Sequence, residues 1–484
     1  MERSLILSLV LVSLIGWTAS CPQDVLAADA DKPFRAGAAT SNITPPLGIS
    51  INGGMSDRTA AHIHDELHAR CLALDNGQKR ITVALVDSCV IPRDVFDQAK
   101  RLIHEATKLP TDHMLMAATH THYAPTVANV FQSKADEPYK AFMARRIADG
   151  VRRAINNLAP ARIGWAVGSE PNQVFNRRWH LKPGTMPPNP FGTRDDKVKM
   201  NPGRKNPNLI KPAGPIDPDV PVVSVQSPDG RPIALLANYS LHYVGGCPGN
   251  HISADYFGMF ANRIERLLKA DWLDPPFVAM MSNGTSGDIN NVNFRGGQKP
   301  QPRYGQMRLV AHAVADAAYR AHRTLTYHDR VPLDVRQATL ELGVRRPSAA
   351  EVEQAQQILA KAKGRSLRGL TEIYANETVN LAKAPPKVEV ILQVIRIGDL
   401  AICAIPCEVF VEIGLELKRK SPFKPTFTIE LANGYNGYLP TAAQHALGGY
   451  ETWRARSSYL EVQAAPKIVK TLLTLLDDLK RSGA

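Results

Sequence analysis

Short, wholly apolar runs alternate along this chain with amphipathic stretches, and that alternation limits the fold more than any other feature. Runs at 68–74 and 81–86 flank Asp75-Asn76-Gly77, a hairpin turn signal. Helical periodicity follows over 92–108, then a strand at 114–118. Asp136 and Pro138 announce a second helix, in which Met143, Ile147, Val151 and Ile155 recur every fourth residue. Further helices are expected over 254–269, 303–323, 348–362 and 458–480. Strands are expected over 162–167, 222–225, 233–238, 277–281, 388–397, 400–405 and 426–431. Hairpins mixed with strand–helix–strand units predict an α/β fold with mixed β-sheets flanked by helices, rather than one purely parallel sheet.

Apolar residues at 44% and charged residues at 21% of 484 exclude a disordered or fibrous chain. Lys and Arg exceed Asp and Glu by 58 to 45, a net charge of +13 that points to anionic surroundings or a basic coat. Zinc-finger spacing, a helical basic stripe and an RNA-binding sheet motif are all missing from the sequence, so no nucleic-acid partner is expected. Part of the charge is local: residues 177–211 hold nine Lys or Arg against Asp195 and Asp196, in a stretch rich in Pro, Gly and Asn. A structureless loop of that length is a functional lid or a disordered insertion. A basic, Pro-rich insertion at 178–215 within a single domain over 33–482 is therefore expected.

Arg3, the apolar run 5–17 and the small residues Thr18-Ala19-Ser20 read as a secretory signal peptide over 1–27. Cleavage after Ala27 and lipidation of Cys21 are the two alternatives. Both make the chain exported, periplasmic or extracellular, lipid-anchored if Cys21 carries the acyl groups. No later run reaches the ~18 apolar residues of a membrane span, which leaves only peripheral contact with a membrane surface. Cys71 and Cys89 lie on neighbouring expected strands, where they either pair or remain buried thiols.

Chemistry-bearing residues collect where apolar runs end. Thr119-His120-Thr121-His122 follows 114–118, and residues two apart in extended chain point the same way, so both imidazoles can serve one site. A second pair, His62-Ile63-His64, shows that the pattern alone is weak. Recurrence strengthens it: 233–238 leads to His242, and 400–405 to Pro406-Cys407-Glu408. The run 426–431 leads to Asn433-Gly434-Tyr435-Asn436-Gly437-Tyr438, and 277–281 to a Gly- and Asn-rich turn through Asn290. Carboxyl ends of strands in open α/β sheets gather where ligands bind. Two His and one Glu meeting there suit Zn²⁺, with a coordination position left for water.

On these stretches the chain resembles the neutral/alkaline, non-lysosomal ceramidases, zinc-dependent hydrolases of the sphingolipid amide bond. Matching segments are Ala118-Thr119-His120-Thr121-His122, Val174-Phe175-Asn176-Arg177, Ser240-Leu241-His242, Ile252-Ser253-Ala254-Asp255, Gly287-Asp288-Ile289-Asn290, Ile405-Pro406-Cys407-Glu408 and Asn433-Gly434-Tyr435-Asn436-Gly437-Tyr438. The resemblance implies the ceramidase catalytic-domain fold and one Zn²⁺ held by His120, His242, Glu408 and Tyr438. It further implies that His122, Arg177 and Tyr450 line the reacting centre. Two departures stand out. Asn290 occupies the position of the family's catalytic serine, and an amide can donate a hydrogen bond but is no nucleophile there. The chain also ends without room for the family's C-terminal β-sandwich domain.

The expected activity is hydrolysis of an amide or ester bond by a metal-activated water. His122 is the expected general base or oxyanion stabiliser, Arg177 and Asn290 the residues that orient the substrate, and Tyr450 a donor to the tetrahedral intermediate. A lipid or other small molecule is the expected partner. Two alternatives stay open: the same zinc chemistry on a polar, anionic or sugar-like substrate chosen by the basic insertion, and a binding protein without turnover.

Overall fold

The computed structural model describes residues 33–297 and 299–482; the signal-peptide and Cys21 expectations lie outside them. Three sheets organise these residues. The first runs Met114–Ala118, Arg80–Val86, His68–Asp75, Arg35–Asn42 and Ala159–Pro160 from edge to edge. The second runs Val278–Asn283, Pro232–Tyr239, Asp219–Gln226 and Arg162–Ser169, and the third Leu333–Gly343, Lys387–Ile397, Leu400–Ile405 and Thr426–Glu430. Each sheet is antiparallel except for one parallel pair at an edge: Arg80–Val86 with Met114–Ala118, Pro232–Tyr239 with Val278–Asn283, and Leu400–Ile405 with Thr426–Glu430.

The sheets share one apolar core. Leu72, Leu85 and Leu115 from the first meet Val223, Leu236 and Met280 from the second and Ile395, Ile402 and Phe427 from the third. Helices cover the outer faces: Arg93–Thr107 and Glu137–Asn156 on the first sheet, Asp255–Leu267 and Gly305–His322 on the second, Val411–Lys420 and Ala464–Arg481 on the third. Buried on both sides, Met114–Ala118 and Leu400–Ile405 are apolar throughout instead of alternating. The three parallel edge strands Met114–Ala118, Val278–Asn283 and Thr426–Glu430 contact one another at the centre, so their carboxyl ends open into one place.

Two expectations change and one open alternative is decided. The insertion is not structureless: Arg178–Leu181, Val198–Met200 and Leu209–Pro212 form a three-stranded antiparallel sheet, anchored by buried Trp179 and Val198. The last helix starts at Ala464, not 458, because Ser458 is held in β-bridges to Gly437 and Ala455 and its hydroxyl donates to the Glu451 carbonyl. Cys71 and Cys89 are both buried free thiols.

Candidate metal centre

His120 sits two residues beyond the end of Met114–Ala118, with φ of 77° and its N–H donated to the Ser88 carbonyl at 2.8 Å. That left-handed backbone costs a non-glycine residue energy and persists only where the surroundings impose it. The His120 ring donates Nδ1–H to the Cys89 carbonyl at 2.7 Å, and His242 donates Nδ1–H to the Ser286 carbonyl at 3.2 Å. A carbonyl can only accept, so each ring, when neutral, presents a lone pair at Nε2. Those two Nε2 atoms lie 2.9 Å apart.

Glu408 completes the group. Its Oε2 lies 3.4 Å from His120 Nε2 and 3.8 Å from His242 Nε2, and is buried without a hydrogen-bond donor. Its Oε1 accepts the Tyr435 hydroxyl at 3.0 Å. Glu408 and Tyr438 are register partners on the short parallel strands Glu408–Val409 and Tyr438–Leu439, which sets the tyrosine hydroxyl beside the carboxylate. Burial alone would raise the Glu408 carboxyl, yet His120, Tyr438 and Arg177 hold it below its ordinary value. Burial opposes charge on His120, but Cys89 and Glu408 push this imidazole well above its usual range. Two facing lone pairs and an orphaned carboxylate oxygen in a buried pocket need a cation between them, a proton or a metal ion. The borderline N/O donor set of two His, one Glu and the adjacent Tyr438 hydroxyl fits Zn²⁺, and the Nδ1 bonds to carbonyls are the outer support that metal-binding histidines use.

His122 stands next to this group, Nε2 to His120 Nε2 at 3.2 Å, stacked on Tyr243 at 3.6 Å between centroids. Burial, then the charges of His120 and Arg58, hold it well below its ordinary pKa and hence neutral. Gly53 (φ +99°) packs against the ring so closely that a Cβ there would lie 2.5 Å from His122 Cγ. Gly287 makes a similar approach, its hypothetical Cβ 2.6 Å from the Glu408 carbonyl oxygen.

Arg177 is buried and already engaged, donating to Glu451 Oε1 at 2.9 Å, the Gly287 carbonyl at 2.7 Å and the Tyr438 hydroxyl at 3.1 Å. It therefore orients Tyr438 rather than extending a free hand into solvent. Tyr450, on the short turn Tyr450–Thr452, packs edge-on to Tyr438 at 5.7 Å. Asn290 pairs with Phe175 across two short strands and donates its amide to Asn201 Oδ1 at 2.7 Å. A cleft of about 470 Å³ is lined by His122, Arg177, His242, Asn290, Tyr438 and Tyr450, so these groups share one space. Ser286, the nearest hydroxyl in sequence to Asn290, is fully buried and donates to Glu430 Oε1 at 2.6 Å.

Reading the residues in order missed Tyr435, Tyr243, Arg58, Cys89 and Glu451, all of which touch the cluster or hold a residue that does. Only Tyr435 carried a local hint, in the repeated Asn-Gly-Tyr loop.

No protein-family model matches the chain. Among solved structures it is similar to the neutral ceramidase from Pseudomonas aeruginosa, with a TM-score of 0.71 at 19% identity over 93% of this chain and 75% of that one. It is also similar to a ceramidase complexed with C2, with a TM-score of 0.69 at 18% identity over 93% of this chain and 76% of that one. The expected mixed α/β, neutral-ceramidase-like fold is thus the observed one, and the chain spans about three quarters of these neighbours' length. Among the described residues no helix is long and apolar enough to cross a membrane.

Proposed function

We propose that this protein is an exported zinc-dependent hydrolase of a carboxylic amide or ester, built as one domain over 33–482. The observation that carries this reading is the pair of Nε2 lone pairs of His120 and His242 converging at 2.9 Å beside the unpartnered Glu408 Oε2. His120, His242, Glu408 and Tyr438 would hold the ion. A bound divalent ion supplies Lewis acidity, which brings the pKa of water from about 15.7 towards 7 and polarises a carbonyl. His122, neutral and against the cluster, takes a proton on Nε2 from the attacking water and returns it to the leaving group. Tyr450 donates to the oxyanion from the cleft wall, Arg177 fixes the Tyr438 hydroxyl, and Asn290 orients the polar part of the substrate. Ser286 is no substitute for the serine replaced by Asn290, because its hydroxyl is committed to Glu430.

The ceramidase names of the structural neighbours make an N-acyl amide the first substrate class to try. A second reading keeps the chemistry and gives it a more polar substrate than ceramide. It is favoured by the insertion, whose Asn201 bonds directly to Asn290 on the cleft wall. Zinc content measured together with turnover on N-acyl lipids and on acylated polar amines and sugars tests both. Stoichiometric zinc without turnover on any of them would leave a binding protein.

A further inference from the structure

Two spaces meet at the cluster. The cleft of about 470 Å³ has polar side chains in its wall, among them Asn201 and Arg204 from the insertion and Asn290, bonded to Asn201, with Asn291. A second recess, of about 40 Å³, has Val90, Val130 and Phe131 in its lining. His122, Tyr438 and Tyr450 line both, so a carbonyl held among them sends one substituent into each. Holding one water takes roughly 10–15 Å³, so the recess seats about three heavy atoms. That accommodates an acetyl or propionyl group and leaves no room within the recess itself for a long acyl chain.

The cleft also carries an exposed cation without a side-chain partner. Arg177 is satisfied by Glu451, Gly287 and Tyr438, whereas Arg204 has no ion pair or side-chain hydrogen bond among the described residues. Its turn is fastened on both sides of it: the Asn201 N–H donates to the Arg177 carbonyl at 2.9 Å, and the Lys205 N–H to the Phe294 carbonyl at 2.8 Å. Arg204 thus lines the cleft and not the recess, on the side where the amine half of an amide whose acyl end fills the recess would emerge.

We infer that the substrate is a short-chain N-acyl compound whose amine half carries an anionic group, with the acyl end in the recess and the anion against Arg204. The inference rests on the hydrolase reading above. Water oxygen bonds to the carbonyl carbon and the C–N bond breaks. His122 Nε2 carries one water proton to the amine nitrogen, and the acid product keeps the other until it ionises.

The zinc-loaded full chain would be assayed on N-acylglycines from acetyl to palmitoyl, on the matching uncharged N-acylethylamines, and on a long-chain ceramide, quantifying released amine. Since one misfitting methylene is worth about 10–200-fold, kcat/KM should fall at least about 100-fold between acetyl and octanoyl. A charge-assisted contact should favour glycine over ethylamine by at least about tenfold, and Arg204→Met should erase that ratio through KM. Phe131→Ala, or Val130→Ala if the first folds poorly, should move the preferred acyl group to a longer one, a gain that misfolding cannot imitate. Rates that climb towards palmitoyl or ceramide, or equal rates for glycine and ethylamine, would overturn the inference while leaving the hydrolase intact. Silence on the entire series, ceramide included, would bring down the amide-hydrolase reading on which the inference rests.

Discussion

The Nε2 atoms of His120 and His242 face each other at 2.9 Å while each ring spends its Nδ1 proton on a backbone carbonyl. This arrangement is stable only around a cation, which leads to the first prediction. Purified protein should carry close to one zinc per chain, and His120→Ala and His242→Ala should lose it together with activity. Because ligands must be deprotonated, uptake should release protons and strengthen as pH rises. Restoring zinc to stripped protein at 1,000 times its Kd should add about 4 kcal/mol of stability, visible as a raised Tm. Metal content that is equal in His120→Ala and the parent would remove the centre.

His122 and Gly53 supply the second. His122→Ala should keep zinc and lose about 10²–10⁴ in kcat, the usual contribution of a positioned acid–base group. Gly53→Ala forces a Cβ to within 2.5 Å of the His122 ring at a φ of +99°, so the ring must turn. It should reproduce much of that loss without touching His120 or His242. Metal analysis beside steady-state rates distinguishes this from general damage. A fully active His122→Ala would end its role as base.

What could be read from the sequence follows burial. Met114–Ala118, Leu400–Ile405 and Val278–Asn283 are buried on both faces, so their apolar runs stand out, and the residues after them (His120, Glu408 and the turn to Asn290) were visible with them. Leu333–Gly343 was missed because one face is wet, leaving Asp334, Arg336, Gln337, Thr339 and Glu341 scattered among its apolar positions. The helix Gly369–Leu381 was obscured by Glu377, a buried carboxylate that pairs with Arg456 far along the chain. Tyr243 against His122 and Arg58 against the His122 carbonyl are meetings of distant loops, for which neither periodicity nor spacing leaves a trace. The insertion looked structureless because its strands are as short as Val198–Met200 and their pairing is mutual rather than periodic.

Glu451 anchors the wall of the site. Fully buried, it pairs with Arg177 at 2.9 Å and with Arg178 at 2.6 Å. Glu451→Ala would strand two buried guanidinium groups, and removing one partner of a buried pair costs about 3–5 kcal/mol. Denaturant titration should register that loss. The surviving folded fraction should turn over more slowly, since Arg177 would no longer be steadied beneath the Tyr438 hydroxyl. Unchanged stability would mean the pairs contribute no net energy.

Glu430 provides a test in pH. Its carboxyl is fully buried and accepts from the Ser286 hydroxyl and from the N–H groups of Ser286 and Val409. Burial dominates these bonds and pushes its pKa from 4.5 up to about 8. The folded state therefore holds this proton more tightly than the unfolded chain does. The resulting stability is fully present below about 4.5 and is lost as pH rises through about 8. The slope is at most about 1.4 kcal/mol per pH unit. Glu430→Gln mimics the protonated acid: its amide can donate to Ser286 Oγ while its oxygen accepts the two N–H groups. In metal-stripped protein the variant should match the parent near pH 5 and surpass it near pH 8.5, because it has no proton to lose. Tm measured across that range checks the sign, and a variant that falls below the parent as pH rises would show that Glu430 is ionised and stabilising in the folded protein.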